Sequence, residues 1–213
     1  WITARVEADR TSGSTSFTDG LARSLATSLR REQGRGKTKD RLVAALRTVT
    51  SFSMSFNPDG AVSLGFDVDA ARGRADSGSL YADLTDLALD LADAAIELDV
   101  GVAVFIDEMQ DLSAVDASAL CAAFHEISQQ GLPVVLVGAG LPHVPATLSA
   151  SKSYSERLFR YVGVDRLERS ACDLALVAPA RDEGADYTGD ALDAMYAATD
   201  GYPYFVQAYG KAV

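Results

Sequence analysis

Cysteine and histidine are scarce in this chain, with two of each among 213 residues. Cys121 and Cys172 lie far apart, neither belongs to a Cys-x-x-Cys pair, and no cluster of histidines lies near either. Disulfide frameworks and zinc sites need grouped cysteines. The sequence therefore argues against both, and predicts cysteines that pack as small apolar side chains in a reducing cytoplasm.

Long apolar runs are absent, and positive charge is in deficit. No run approaches the length of a membrane span and no signal-peptide pattern is present, so we expect no membrane role. The 19 Lys and Arg against 30 Asp and Glu give a net charge of −11. Because affinity for duplex DNA depends mainly on phosphate neutralisation, the chain is a poor general DNA binder. Its basic residues between Arg23 and Arg47 favour a solvated helix face.

One stretch, residues 101–111, combines a strand pattern with adjacent acids. The apolar run 103–106 is followed directly by Asp107 and Glu108. An unbroken β-branched and aromatic run predicts a strand buried in a parallel sheet, and such strands present functional residues at their carboxyl ends. Two acids there favour a magnesium ion with a nucleotide phosphate. The alternative is a buried strand that ends in a solvated acidic turn.

The apolar periodicity elsewhere predicts an α/β domain with a parallel sheet flanked by helices. The segment from Val102 to Val137 has the strand–helix–strand spacing of a right-handed parallel crossover. Ser113 and Asp116 form a capping-box arrangement at the start of its helix. Further strands are expected at 1–7 and 133–138, and helices at 17–32, 39–49, 80–98 and 113–130.

The segment 51–68 predicts a β-hairpin inserted into this domain. Phe52, Met54 and Phe56 alternate with serines, and apolar residues alternate again after the turn at 57–60. Proline presets φ in that turn and glycine accepts a positive φ. The pattern gives two strands with one apolar face, which caps the core or contacts a partner.

The helix expected at 80–98 carries an acidic stripe opposite its leucines. Carboxylates at helical spacing normally lie on a solvated face. We therefore predict no metal site there. The stripe consists of Asp83, Asp86, Asp90, Asp93 and Glu97.

The chain becomes helical towards its end. A short helix near 153–160 and a strand at 162–167 precede helices at 171–178, 189–199 and 203–211. Pro203 suits the first position of a helix. We therefore divide the chain into an α/β core, 1–170, and a helical segment, 171–213.

A valid phosphate-binding loop is missing from the sequence. Gly36-Lys37-Thr38 matches the end of such a loop, but Arg31 stands where the first glycine is required, and a helix precedes it instead of a buried strand. We predict a turn between helices here. Because Trp1 falls inside a predicted strand, we expect the sequence to be a fragment. Without a phosphate-binding loop, nucleotide binding by this chain is expected to be weak or absent.

The order of these motifs resembles the AAA+ family of P-loop ATPases over essentially the whole chain. The acidic strand resembles a Walker B motif, and it is followed by a helix, a strand ending Val-Gly-Ala-Gly-Leu-Pro, the sequence Ser-Glu-Arg-Leu-Phe, and helices around Gly-Tyr-Pro-Tyr. Within the family the motifs are similar to bacterial and archaeal ATPases of the origin-recognition and replication-initiator type, with features of STAND signalling ATPases. The resemblance implies a P-loop core, 1–170, whose phosphate-binding strand and helix lie upstream of Trp1, and an incomplete helical lid, 171–213.

The resemblance also implies residue roles in a Mg-dependent ATPase that acts as a molecular switch or assembly factor. Asp107 would hold Mg²⁺, and Glu108 would orient and deprotonate the attacking water. Arg157 matches the arginine finger, which acts on the γ-phosphate bound by a neighbouring subunit, and Arg160, one turn on, is the fallback. A surface arginine paired with Glu156 or Asp165 is the alternative.

The helical segment contributes a second implied contact. Gly201 and Pro203 resemble the glycine–proline element that packs against the nucleotide base; an ordinary loop-to-helix junction is the alternative. The chain departs from the family at Gly138-Ala139-Gly140, where many members place a polar sensor residue.

The resemblance implies ATP or ADP with Mg²⁺ as ligands and self-association through the arginine finger. A DNA or protein partner would bind through regions outside this sequence. Two other functions stay open: a nucleotide-gated signalling or DNA-tethering scaffold with little hydrolysis, and a degenerate interaction domain that binds no nucleotide.

Overall fold

The chain folds into two units, each with its own cluster of buried apolar side chains. The computed structural model describes residues 1–9, 13–34, 36, 39–57 and 69–212, with side chains from residue 17 onward in the first helix. The first unit is Trp1–Tyr161, and the second begins at Val162.

The first unit is built on a three-stranded parallel sheet. Its strands are β1 (Ile2–Glu7), β2 (Val102–Asp107) and β3 (Val134–Gly138). The order is β1-β2-β3, so that β2, the strand with the adjacent acids, is central. The pairing register aligns Glu7 with Asp107, and Ile106 with Gly138. The predicted α/β class with a parallel sheet flanked by helices is confirmed.

The helices of the first unit follow the predicted periodicity in most places. Ser113 accepts a hydrogen bond at its Oγ from the Asp116 backbone N–H at 3.1 Å, as the capping-box pattern predicts. No helix in the described ranges is long and apolar enough to cross a membrane. The helices are α1 (Gly13–Gly34), α2 (Asp40–Phe56), α3 (Leu80–Leu98), α4 (Ala114–Gln129), α5 (Val144–Ser151) and α6 (Ser155–Leu158).

The two edges of the sheet differ. Helix α1 covers the outer edge of β1, because the Thr3 N–H donates to Ser28 Oγ at 3.1 Å and the Arg5 N–H donates to Ser24 Oγ at 2.7 Å. Strand β3 pairs with β2 alone among the strands that the structure describes. Natural sheets usually cover such an edge.

The two faces of the sheet differ as well. The three strands are sequential neighbours, and right-handed crossovers in one direction place their helices on one face. That face is buried and includes Ile2, Val104 and Ile106. On the other face Val135 is 43% exposed and Val137 is 48% exposed. Parallel strands are normally buried on both faces, whereas the described helices cover only one face of this sheet.

The predicted hairpin at 51–68 is wrong in its first strand, because residues 51–56 complete helix α2. Phe52 continues the helical stripe of Leu42 and Val49 and is fully buried, and its ring lies 5.1 Å from that of Phe56 one turn on. The alternating serines matched a strand pattern. In the structure, however, Ser51 lies in helix α2 and its hydroxyl donates to the Ala71 carbonyl at 2.8 Å. Residues 58–68, which hold the rest of the predicted hairpin, lie outside the described residues.

The acidic stripe of α3 is not the solvated face that its spacing predicts. Asp83 is buried, with 1% of its surface exposed. Its carboxylate accepts from the Ser77 N–H and the Gly78 N–H, both at 3.0 Å, and from the Ser77 hydroxyl at 2.6 Å. Arg74 pairs with both Asp86 and Asp90. These acids therefore attach the loop before α3 to the body of the unit.

The turn between α1 and α2 carries the Gly-Lys-Thr sequence. Gly36 has a positive φ of 79°, and its N–H donates to the Gln33 carbonyl at 3.0 Å. The helices on either side agree with a helix–helix turn. Lys37 and Thr38 lie outside the described residues.

The second unit consists of three described helices around a small core. They are α7 (Arg169–Asp182), α8 (Gly189–Thr199) and α9 (Pro203–Ala212). Cys172, Leu176 and Val206 form the buried cluster. Arg169 contacts Asp173 on its own helix and Asp193 on α8, which ties the two helices together.

The strand predicted at 162–167 does not form. Val162 and Val164 are 72% and 93% exposed, and no strand pairs with this segment in the described part of the chain. Apolar residues of this segment alternate with others roughly as in a strand. A strand, however, needs a neighbouring strand to satisfy its backbone hydrogen bonds.

The buried Asp83 carboxylate gives the first testable prediction. Asp83→Ala should lower the free energy of unfolding by about 3 kcal/mol, because it leaves buried N–H groups without an acceptor. Asp93→Ala on the same helix is the control, since Asp93 forms a surface ion pair with the exposed Arg41 at 3.1 Å; we expect a loss under about 1 kcal/mol. Urea unfolding of both variants measures the difference, and equal losses would contradict the assigned role.

Candidate functional site

The adjacent acids Asp107 and Glu108 lie at the carboxyl end of the central strand, as the sequence predicts. Both side chains are exposed. Asp107 accepts the Ala8 N–H at its backbone carbonyl at 3.0 Å, and accepts the Glu108 N–H at Oδ1 at 2.9 Å. Neither carboxylate pairs with a Lys or Arg of the described residues. The second carboxylate oxygen of Asp107 is therefore available to an external ligand.

Glu108 adopts a backbone conformation that is uncommon for a residue with a side chain. Its φ is 51° and its ψ is 40°, in the left-handed region. The backbone that follows forms a 3₁₀ turn, Met109–Asp111, in which the Asp111 N–H donates to the Glu108 carbonyl at 2.8 Å. The chain thus leaves β2 by a sharp turn towards the tip of β3. Such outliers concentrate at functional sites.

The tips of β2 and β3 are joined by backbone hydrogen bonds. The Ala139 N–H donates to the Ile106 carbonyl at 2.8 Å, and the Met109 N–H donates to the Ala139 carbonyl at 3.0 Å. A Cβ on Gly138 would lie 1.9 Å from Met109 Sδ, and one on Gly140 would lie 2.6 Å from Gln110 Oε1. Gly138 and Gly140 therefore make room for the turn after Glu108.

Gln110 connects Glu108 to the loop after β3. Its Oε1 accepts the Leu141 N–H at 3.0 Å, and its Nε2 donates to Glu108 Oε2. Sequence reasoning missed Gln110 and its neighbour Met109. The available signal was the pair of glycines at the β3 tip, because closely spaced glycines indicate that other groups approach the backbone.

The two acids are too few to hold a metal ion by themselves. No group of three or more potential metal-ligating side chains is present among the residues that the structure describes. A structural zinc or calcium cage is thus not built into this part of the chain. Mg²⁺ commonly uses one or two carboxylates with waters and substrate phosphates. The exposed Asp107 fits that requirement.

Arg157 and Arg160 lie in and just after the short helix α6, in the first unit. Both side chains are exposed. Neither makes an ion pair with a described residue, and the partners considered for them are engaged elsewhere. Glu156 accepts from the Ser149 hydroxyl at 3.1 Å, and Asp165 accepts the Arg166 N–H at 2.8 Å. Both arginines are thus available to an external anion.

Gly201 and Pro203 belong to the second unit. Gly201 is buried with a φ of 67°, and its carbonyl accepts the Leu167 N–H at 2.8 Å. A Cβ there would lie 2.3 Å from the Leu167 carbonyl oxygen, so this contact requires glycine. Pro203 is exposed and is the first residue of α9, as the sequence predicts. The glycine thus has a structural role within its own unit, and a contact with a nucleotide base stays a prediction.

The cysteines complete the account of the predicted reactive groups. Both Cys121 and Cys172 are buried and form no disulfide, as their scarcity indicates. Burial raises the pKa of the Cys121 thiol. Such a thiol is a poor nucleophile.

Comparison of the chain with protein-family models, with curated proteins and with solved structures gave no match.

Gly140 provides a test of the contact between strand tips. Gly140→Ala should lower the free energy of unfolding by about 1–3 kcal/mol, because the new methyl overlaps Gln110 and the stiff Val144 side chain. Gly34→Ala at the end of α1 is the matched control, since a Cβ there meets nothing within 4 Å. That control should be neutral or slightly stabilising. Thermal unfolding with both variants equal to the parent would refute the tight approach.

Proposed function

We propose that this chain is the core and partial lid of a P-loop ATPase of the AAA+ type. The observation that carries the proposal is the exposed Asp107–Glu108 pair at the carboxyl end of the central parallel strand. Ligands of open α/β sheets bind at this end of the strands. Adjacent carboxylates without a cationic partner in the described residues suit a magnesium-bound phosphate.

In this proposal the two acids have different tasks. Asp107 would hold the magnesium ion with the carboxylate oxygen that accepts no hydrogen bond from the described residues, and the ion would neutralise charge on the phosphates. Glu108 accepts a proton from the water that attacks the terminal phosphate of ATP, and ADP leaves with the bridging oxygen. Phosphoryl transfer is catalysed mainly by positioning and electrostatics. The sharp turn at Glu108 supports such a role, because it leaves an exposed carboxylate directly after the end of β2.

The phosphates need a cradle that the described residues do not contain. The outer edge of β3 and the exposed Val135 and Val137 support its placement, since one parallel strand and its helix would cover both. The connection to a strand on that side of β3 would run in the opposite direction to the connections among β1, β2 and β3. The strand order would therefore reverse at this point, and ligands of open α/β sheets bind at such a switch point. We propose that a segment outside this sequence supplies this strand, its phosphate-binding loop and the helix.

Arg157 is proposed to act on a nucleotide held by a neighbouring copy. Its exposed guanidinium without an ion-pair partner in the described residues supports this, with Arg160 as the second candidate. An arginine supplied between subunits stabilises charge in the transition state. ATP turnover would then depend on assembly, as in a switch or assembly factor.

The role of Glu108 is tested in a protein that carries the phosphate-binding segment. Glu108→Gln should lower kcat for ATP by about 10²–10⁴-fold, because it removes the general base, while Mg-ATP affinity by calorimetry stays near that of the parent. Glu126→Gln is the matched control, since Glu126 is also exposed and also accepts from a glutamine, Gln130, at 2.7 Å. Normal turnover by Glu108→Gln, or no ATP binding by the parent, would overturn the proposal.

Mixing variants tests the role of Arg157 between subunits. Arg157→Ala should reduce turnover by about 10³-fold or more. If the arginine acts on its neighbour, mixed Arg157→Ala and Glu108→Gln subunits regain activity, because some contacts then join an intact Glu108 to an intact Arg157. A mixture as inactive as its components would exclude action between subunits. Arg181→Ala, in the second unit, is the control and should turn over ATP normally.

A further inference from the structure

We infer that Gln110 is the positioning residue for Glu108, an inference that rests on the proposed ATPase function. Gln110 would hold one carboxylate oxygen of Glu108 so that the other faces the attacking water. Its role is distinct from that of Asp107, because it acts through Glu108 and contacts neither metal nor phosphate.

The orientation of the Gln110 amide follows from its surroundings. The Leu141 N–H is a donor, so the atom facing it at 3.0 Å must be the amide oxygen. The amide nitrogen then faces Glu108 and donates to Oε2. The contact with Leu141 therefore fixes a donor towards the carboxylate.

The hydrogen bond restrains a side chain that otherwise has few contacts. Glu108 is exposed at the start of a turn, where a glutamate samples several rotamers. Among the described residues, its carboxylate accepts from the Gln110 amide, which is itself anchored across the strand tips. Occupation of Oε2 leaves Oε1 to accept a proton. A general base must lie within hydrogen-bond reach of that proton.

Gln110 also lies against Gly140, just after the tip of β3. Gly140 has no side chain, and a Cβ there would lie 2.6 Å from Gln110 Oε1. The amide thus occupies space that a side chain on the strand tip would fill. The Gln110 amide belongs to the turn after β2, while the Leu141 N–H that holds it belongs to the loop after β3. A shift of that loop would move Glu108.

Two variants separate the two ends of the amide. Gln110→Glu keeps an acceptor for the Leu141 N–H but loses the donor to Glu108. Gln110→Met removes both. In the protein that carries the phosphate-binding segment, both variants should lower kcat about tenfold, because misorientation of the base slows the chemical step. KM for Mg-ATP should change less than about twofold, since binding uses other groups.

Hydrogen exchange and a double variant exclude a purely structural role. The Leu141 amide should exchange faster in Gln110→Met but stay near the parental rate in Gln110→Glu. Gln110→Met added to Glu108→Gln should cause no further loss of turnover, because residues that act as one unit are not additive.

The outcomes distinguish the two hypotheses. Parental kcat in Gln110→Glu, or a full additional loss in the double variant, would overturn the positioning role while the ATPase assignment stands. No turnover by the parent protein would overturn the proposed function, and this inference with it. Unchanged Leu141 exchange in Gln110→Met would refute the hydrogen-bond geometry itself.

Discussion

The candidate site depends on the close approach between the tips of β2 and β3. The Met109 N–H reaches the Ala139 carbonyl at 3.0 Å, and Gly138 and Gly140 leave the space beside this contact to the Met109 and Gln110 side chains. The approach fixes the direction in which the chain leaves β2. The position of Glu108 consequently depends on the tips of both strands and on the turn that follows β2, rather than on its own strand alone.

This arrangement has an energetic cost, because the backbone of Glu108 lies in the left-handed region. A non-glycine residue in that region costs about 1–2 kcal/mol. The peptide group that follows Glu108 forms two hydrogen bonds, from the Met109 N–H to Ala139 and from Asp111 to the Glu108 carbonyl, which contribute about 1 kcal/mol each. The turn is therefore held by its neighbours, and its conformation is sensitive to changes at the β3 tip.

Local patterns predicted those parts of the fold that local physics decides. The limits of α3, 80–98, follow from its leucine spacing, and the acidic strand follows from an uninterrupted apolar run. Residues 51–56 were predicted wrongly, because alternating serines satisfy a strand pattern while the buried Phe52 belongs to a helical stripe. The stripe of acids on α3 was misjudged since its partners, such as Arg74 and Ser77, lie in an irregular loop that periodicity does not describe.

The site was predictable only where its residues are adjacent in sequence. Asp107 and Glu108 could be placed at a strand end, because a strand and its terminus are local features. Gln110 could not, since its anchor Leu141 is 31 residues away and only the folded chain brings the two strand tips together. The roles of Arg157, Gly201 and Pro203 depend on a nucleotide and stay predictions.

The outer edge of β3, which no described strand covers, has a consequence for how this chain behaves in concentrated solution. An open strand beside exposed valines is a template for adding a strand from another copy, which leads to aggregation. The net charge of −11 opposes that contact by repulsion between copies. Salt screens this repulsion over a distance of about 8–10 Å at ordinary ionic strength. Colloidal stability should therefore fall as salt is added, although the fold itself is unchanged.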